Sequence, residues 1–156
     1  MNTTPLPSVA APPYLCDYIP LDAVRLMTGV QDPVVKGRFT MSANEGESSG
    51  GCFIYQSDGP KVLDVTLSPD GSKEEVEWVI SKGAKPLPEI VPGSIGHYGQ
   101  DGSADNTQAS ATLVHGLDKV IVELWRGVKG RDNTADVVAL MKLVGPKLIV
   151  EAKTKD

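Results

Sequence analysis

His97 sits in the most chemically suggestive stretch of the chain, Gly93-Ser94-Ile95-Gly96-His97-Tyr98-Gly99-Gln100-Asp101-Gly102. Glycines on both sides let backbone N–H groups approach a ligand closely, and an imidazole can give or take a proton near neutral pH. His97 with Asp101 or Asp105 would form an acid–base pair, with Tyr98 as a neighbouring contact. The same composition also describes a glycine-rich edge strand and turn. Asp101, Asp105 and Asn106 offer oxygen ligands to a hard cation, but their spacing departs from an EF-hand. A turn whose side chains bond their own backbone accounts for them, so no metal is expected.

Other candidates have simpler readings. His115 adjoins a turn, with no Ser or Cys nucleophile nearby in sequence, and reads as a solvated turn histidine. Glu74, Glu75 and Glu77 suit the first turn of a helix, where acids complement the helix dipole. Trp125 is out of phase with Val120, Val122 and Leu124, so it shares with Ile121 the other side of a strand, a side that a helix covers or a partner engages. The chain contains no GxxxxGK[ST] loop, GxSxG elbow, HExxH helix or paired CxxC, and no cofactor is expected.

The elements that must position these residues follow from periodicity. Pro20 opens a helix over Leu21–Met27 with Leu21, Val24 and Met27 toward the core, and Gly29 stops it. Alternation through Phe39, Met41 and Ala43, then Cys52 to Gln56, then Leu63, Val65 and Leu67, gives three strands; a polar loop from Asn44 to Gly51 separates the first two. Ser72 stands three residues before Glu75, the spacing of a capping box, and starts a helix with Val76, Val79 and Ile80 inward and Gly83 as its stop. Pro86, Pro88 and Pro92 make residues 85–93 an extended loop. A hairpin follows, with Ala109, Ala111 and Leu113 on one strand, Val120, Val122 and Leu124 on the other, and a turn at His115–Asp118. A last helix begins near Asp132 and carries Val137, Leu140, Met141 and Val144 along one side until Pro146 ends or kinks it.

This order, α-βββ-α-ββ(β)-α, predicts an α+β fold: an antiparallel sheet of about five to six strands covered by helices. The chain has 156 residues, 40% hydrophobic and 22% charged, which suits one globular domain over residues 14–150. Residues 1–13, with Pro5, Pro7, Pro12 and Pro13, read as a semi-rigid spacer, and residues 151–156 as a polar tail. A net charge of −5, from 15 Lys+Arg against 20 Asp+Glu, argues against a nucleic-acid partner. No apolar run approaches the ~20 residues that cross a bilayer. The start lacks the charged and apolar regions of a secretory signal, which fits either a cytosolic protein or a mature segment; the proline-rich stretch favours the second.

Two cysteines remain. Cys16 stands where the spacer ends and Cys52 opens a β-type run, so each is a fit anchor for a disulfide, worth about 4 kcal/mol by loop entropy; two buried free thiols are the other reading. The arrangement Leu15-Cys16-Asp17 before a short helix, Gly51-Cys52-Phe53-Ile54-Tyr55 opening a strand, and Pro92-Gly93-Ser94-Ile95-Gly96 resembles the small secreted or lipid-anchored actinobacterial proteins of unknown function. Their domains are similar to the sandwich of the photosystem accessory protein PsbP and the nuclear transport factor Mog. The likeness spans most of residues 14–150. It implies an extracytoplasmic, non-catalytic domain, tethered to the membrane through its proline-rich tail, with Cys16 and Cys52 bridged, although no lipobox precedes Cys16.

The expected function is therefore that of an extracytoplasmic binding or accessory domain of a bacterial envelope or secreted protein. It would meet an unidentified protein or small envelope ligand through contacts such as His97, Tyr98, Asp101 and Trp125. An enzyme using His97 with Asp101 or Asp105, and a sensor or inhibitor domain acting through a protein partner, are the alternatives.

Overall fold

The computed structural model describes residues 3–44, 46–102 and 106–154. Its elements in chain order are β1 (Tyr14–Leu15), β2 (Ile19–Pro20), α1 (Leu21–Thr28), β3 (Val34–Thr40), β4 (Ser49–Tyr55), β5 (Lys61–Ser68), α2 (Lys73–Ser81), β6 (Lys85–Pro86), β7 (Ile95–Gln100), β8 (Ala109–His115), β9 (Asp118–Leu124) and α3 (Asn133–Thr154). Seven strands form one antiparallel sheet in the order β3-β4-β5-β9-β8-β7-β6, and β1 and β2 pair separately.

The fold is α+β, with a larger sheet than the sequence predicts. The added strand is β6, inside the stretch that its prolines predict to be loop. Pro86 cannot donate to a ladder, which confines such a residue to the sheet margin, and β6 is the outermost strand.

The helices obey their local signals. Gly29 ends α1 in a left-handed conformation (φ 74°), where its N–H donates to Arg25 O at 2.9 Å. Burial in α1 falls on Ala23, Val24 and Met27, with Leu21 only half-buried, a small rotation from the expected side. The Ser72 hydroxyl accepts from Glu75 N at 3.1 Å and opens α2. Asp132 does the same for α3, accepting from Ala135 N at 3.1 Å.

Pro146 does not end α3, which runs on to Thr154 through residues expected to be a polar tail. Its missing N–H costs one backbone bond. Met141, Val144, Leu148 and Ile149 are all buried on either side of it, and their packing outweighs that loss.

Alternation along the strands gives the sheet two unlike faces. One carries Cys52, Ile54, Leu63, Val65, Leu67, Ala111, Leu113, Val120, Val122 and Leu124, all buried beneath α1 and α3. On the other, α2 packs over β7 and β8. On β3, β4, β5 and β9 this second face presents Lys36 and Arg38 exposed, with Phe53, Thr66 and Ile121 half-buried. An antiparallel sheet tolerates such a half-open face.

Cys16 and Cys52 are joined by a disulfide, with Cα atoms 5.9 Å apart, which ties the β1–β2 hairpin to β4 inside the sheet. The amino-terminal stretch, expected as a spacer, also lies partly against the domain. Leu6 is buried in the core cluster, Thr4 O accepts from an Arg131 guanidinium N–H at 2.9 Å, and Pro13 O accepts from Leu21 N at 3.0 Å. Arg131 is held in turn by Asp136 through two bonds of 2.9 and 2.8 Å, both side chains being almost fully buried. Among the described residues, no helix is long and apolar enough to cross a membrane.

Candidate functional site

The margin of the sheet at β7 is where chemistry-bearing side chains collect. β6 covers β7 only through the pairs Lys85–Tyr98 and Pro86–His97, after which Leu87 N donates to Gly96 O at 2.9 Å. Gly99 and Gln100 therefore project past the last covering strand. Gly96 is required by close packing, since a Cβ there would press on the Thr112 carbonyl and stand 2.6 Å from the Leu87 side chain; at Gly99 nothing lies within 4 Å of the same position.

A cleft of about 530 Å³ wraps this margin, lined by His97, Tyr98, Gly99, Gln100 and Asp101 of the β7 stretch with Val79, Lys85, Ser110 and Thr134. A second, of about 560 Å³, shares Lys85, Tyr98 and Thr134 and is closed by Leu6, Pro7 and Ser8 and by Val138 and Lys142 of α3. Both volumes suit a small ligand. Three of the four contact residues expected from sequence thus share one cleft, and Tyr98 joins it to the next.

Within the clefts, alternation separates the side chains. His97 points toward α2 and is half-buried. Burial holds its proton affinity below the ordinary histidine value, with the nearby negative charge of Glu75 opposing the shift. Tyr98 points toward α3, packs partly against the core, and its hydroxyl makes no hydrogen bond among the described residues. Asp101 is exposed; its N–H donates to Gln108 O at 2.9 Å, and its carbonyl accepts from the Asn106 amide.

His97 hydrogen-bonds no carboxylate among the described residues. Asp101 lies four residues along the strand, about 13 Å away at the usual rise. Asp105 lies outside the described residues. No group of three His, Cys, Asp or Glu that could hold a metal ion occurs among the described residues.

Trp125 lies elsewhere, just beyond β9 on the half-open face, and no helix covers it. Its indole N–H donates to Asp64 Oδ2 at 2.8 Å, and the same oxygen is 2.9 Å from Lys61 Nζ. That ammonium stands 4.8 Å from the Trp125 ring centre and 5.5 Å from that of Phe53, so the indole is fixed by a cation and a carboxylate. Glu123, directly across from Asp64, holds its proton more tightly than usual because of burial and the charges of Asp64 and Asp101, with Lys61 opposing.

The sequence reading missed Trp78, which is 62% exposed on α2, although its phase relative to Val76, Val79 and Ile80 was a usable signal. It also missed Lys85, Thr134 and Lys142 as cleft residues; nothing local marks them. His115 is no simple solvated histidine: it is half-buried, with Nε2 3.1 Å from Pro92 O. Comparison of the chain with family models, curated proteins and solved structures finds no significant match.

Proposed function

We propose that this chain is an extracytoplasmic, non-catalytic binding domain of a bacterial envelope or secreted protein, taking a small envelope ligand at the β7 margin. The observation that carries the reading is the pair of joined clefts around Tyr98. They combine an apolar wall, a phenol with no hydrogen-bond partner among the described residues and lysines at the rim, while the one histidine in the cleft bonds no carboxylate among the described residues. That inventory favours holding a ligand over moving a proton. The disulfide is compatible with a location outside a reducing compartment. Membership of the small secreted or lipid-anchored actinobacterial proteins is part of the proposal and rests on the sequence pattern.

The test uses oxidised protein in a thermal-shift screen against small carboxylates, phosphates and oligosaccharides, with Tyr98→Ala as control. A ligand that raises the midpoint of the wild type by about 5 °C at saturation, but not that of the variant, supports the reading. Hydrolysis of a general ester or phosphate substrate that vanishes in His97→Ala would overturn it. Reduced thiols in protein recovered from its own cell would remove the extracytoplasmic part.

A further inference from the structure

Two surface features remain without a role, and both lie on the same side of the sheet. The first is the outward side of α2, where Glu74, Trp78 and Ser81 recur at i, i+4 and i+7 and all are exposed, with Lys82 Nζ 5.8 Å from the Trp78 ring centre. The second is the half-open sheet face, whose floor is Phe53, Thr66 and Ile121 and whose rim on β3 carries Lys36 and Arg38. Phe53 lies across Gly51, where a Cβ would stand 2.8 Å from the ring, so the middle of this floor is flat. The floor also carries Lys61 over the Phe53 ring, with Asp64 paired to it and Glu123 beside them, so its charged centre lies toward β5 and β9 while its β3 rim is basic. That rim and the Glu74–Glu75–Glu77 side of α2 are complementary in charge.

We propose that a second copy of this chain covers the half-open face, in a two-fold dimer where α2 of each copy seats on β3, β4, β5 and β9 of the other. The sheet order allows it. The middle of the open half lies three strand intervals, about 14 Å, from the middle of the β8–β7 pair beneath α2. A helix is about 10–12 Å across, so two α2 helices fit side by side between the facing sheets.

A two-fold axis parallel to the strands keeps each residue's level along the strand and exchanges left for right. Arg38, Gly51, Thr66, Ile121, Thr112 and His97 form one cross-sheet row. Glu75, whose charge acts on His97 of β7, therefore comes over β4 of the other copy, at the level of Arg38 and one strand in from it. Trp78 meets the floor around Phe53. The interface is isologous, so each copy supplies one helix and one floor. The floor lies at the opposite margin of the sheet from the ligand clefts, while α2 itself lines one of them through Val79.

Sedimentation of the oxidised chain across the micromolar range tests it. The wild type is expected to dimerise, and both Lys36→Glu/Arg38→Glu and Glu74→Lys/Glu75→Lys to weaken the dimer by about tenfold or more through like-charge contact. Mixing the two variants restores association, because both helix–rim contacts then join opposite charges. Far-UV circular dichroism and an intact disulfide establish that each variant folds. In Trp125→Phe, which leaves Trp78 as the one tryptophan, emission shifts to the blue as the dimer forms. A wild type that stays monomeric overturns the proposal, as does a dimer that neither reversal weakens or that leaves Trp78 emission unmoved.

Discussion

Opening the Cys16–Cys52 bridge should cost about 4 kcal/mol, nearly all of it through the unfolded chain. The cysteines are 36 residues apart, and the loop-entropy relation for that length gives about 13 cal/mol/K, or about 3.8 kcal/mol at 25 °C. For a domain of this size that is a loss of about 10 °C in midpoint. Three forms separate the contributions: oxidised wild type, wild type reduced while unfolded and then refolded in reductant, and Cys16→Ala/Cys52→Ala. The reduced form keeps both sulfur atoms, so its deficit is the chain-entropy part. The double variant loses about a further 1 kcal/mol, because Cys52 is fully buried and its sulfur leaves a void. Urea denaturation at 25 °C is the assay, and the slope against urea should steepen on reduction as the unfolded chain expands. A reduced form within about 1 kcal/mol of the oxidised one would refute the reasoning, since residues 16–52 would then be confined equally well without the bridge.

Arg131→Met should destabilise the fold by about 3 kcal/mol by stranding Asp136, and adding Asp136→Leu should recover much of that loss; urea midpoints of the two singles and the double check the coupling. Burial holds His97 below the ordinary value of 6.5, so the unfolded chain takes up this proton first. Stability should therefore fall as pH drops below about 6.5 and level off once native His97 protonates, a step absent from His97→Gln in pH-dependent melting. Glu123, with its proton affinity raised, acts oppositely nearer pH 4.5, since the native state there takes the proton before the unfolded one, and Glu123→Gln removes that limb. Gly96→Ala should cost about 2 kcal/mol by pressing on Thr112 and Leu87, whereas Gly99→Ala should change stability by less than about 0.5 kcal/mol; thermal melts distinguish them.

Wherever one segment decides its own conformation, the sequence was readable. Gly29, Ser72 and Asp132 mark helix ends through bonds to residues three or four positions away, and the β8–β9 hairpin announces itself by alternation around a short turn. Cys16 and Cys52 were candidates for a bridge from their places at a segment start and a strand. Features set by distant partners were hidden. β6 exists because Lys85 and Pro86 meet Tyr98 and His97, not because of their own propensity. α3 passes Pro146 because the sheet buries its other residues. Trp125 is fixed by Asp64, 61 positions away, and alternation alone left open what lay over it. The cleft shows the same division: His97, Tyr98 and Asp101 stood out as a local cluster, while Lys85 and Lys142 reach it only through the packing of β6 and α3.

The attachment of the amino-terminal stretch gives the molecule a defined response to mechanical load. A pull on that end first breaks the Arg131–Thr4 bond, then draws Leu6 from its socket, and peels the irregular segment up to the short strand Tyr14–Leu15. The segment from Thr4 to Leu15 reaches at most about 40 Å when fully straightened. Peeling stops at Cys16, where the covalent bridge hands the force to the middle of β4, which is flanked on both sides by β3 and β5. The domain thus carries a short extensible leader in series with the sheet, and strain on the leader opens the cleft closed by Leu6, Pro7 and Ser8 before the sheet itself is loaded.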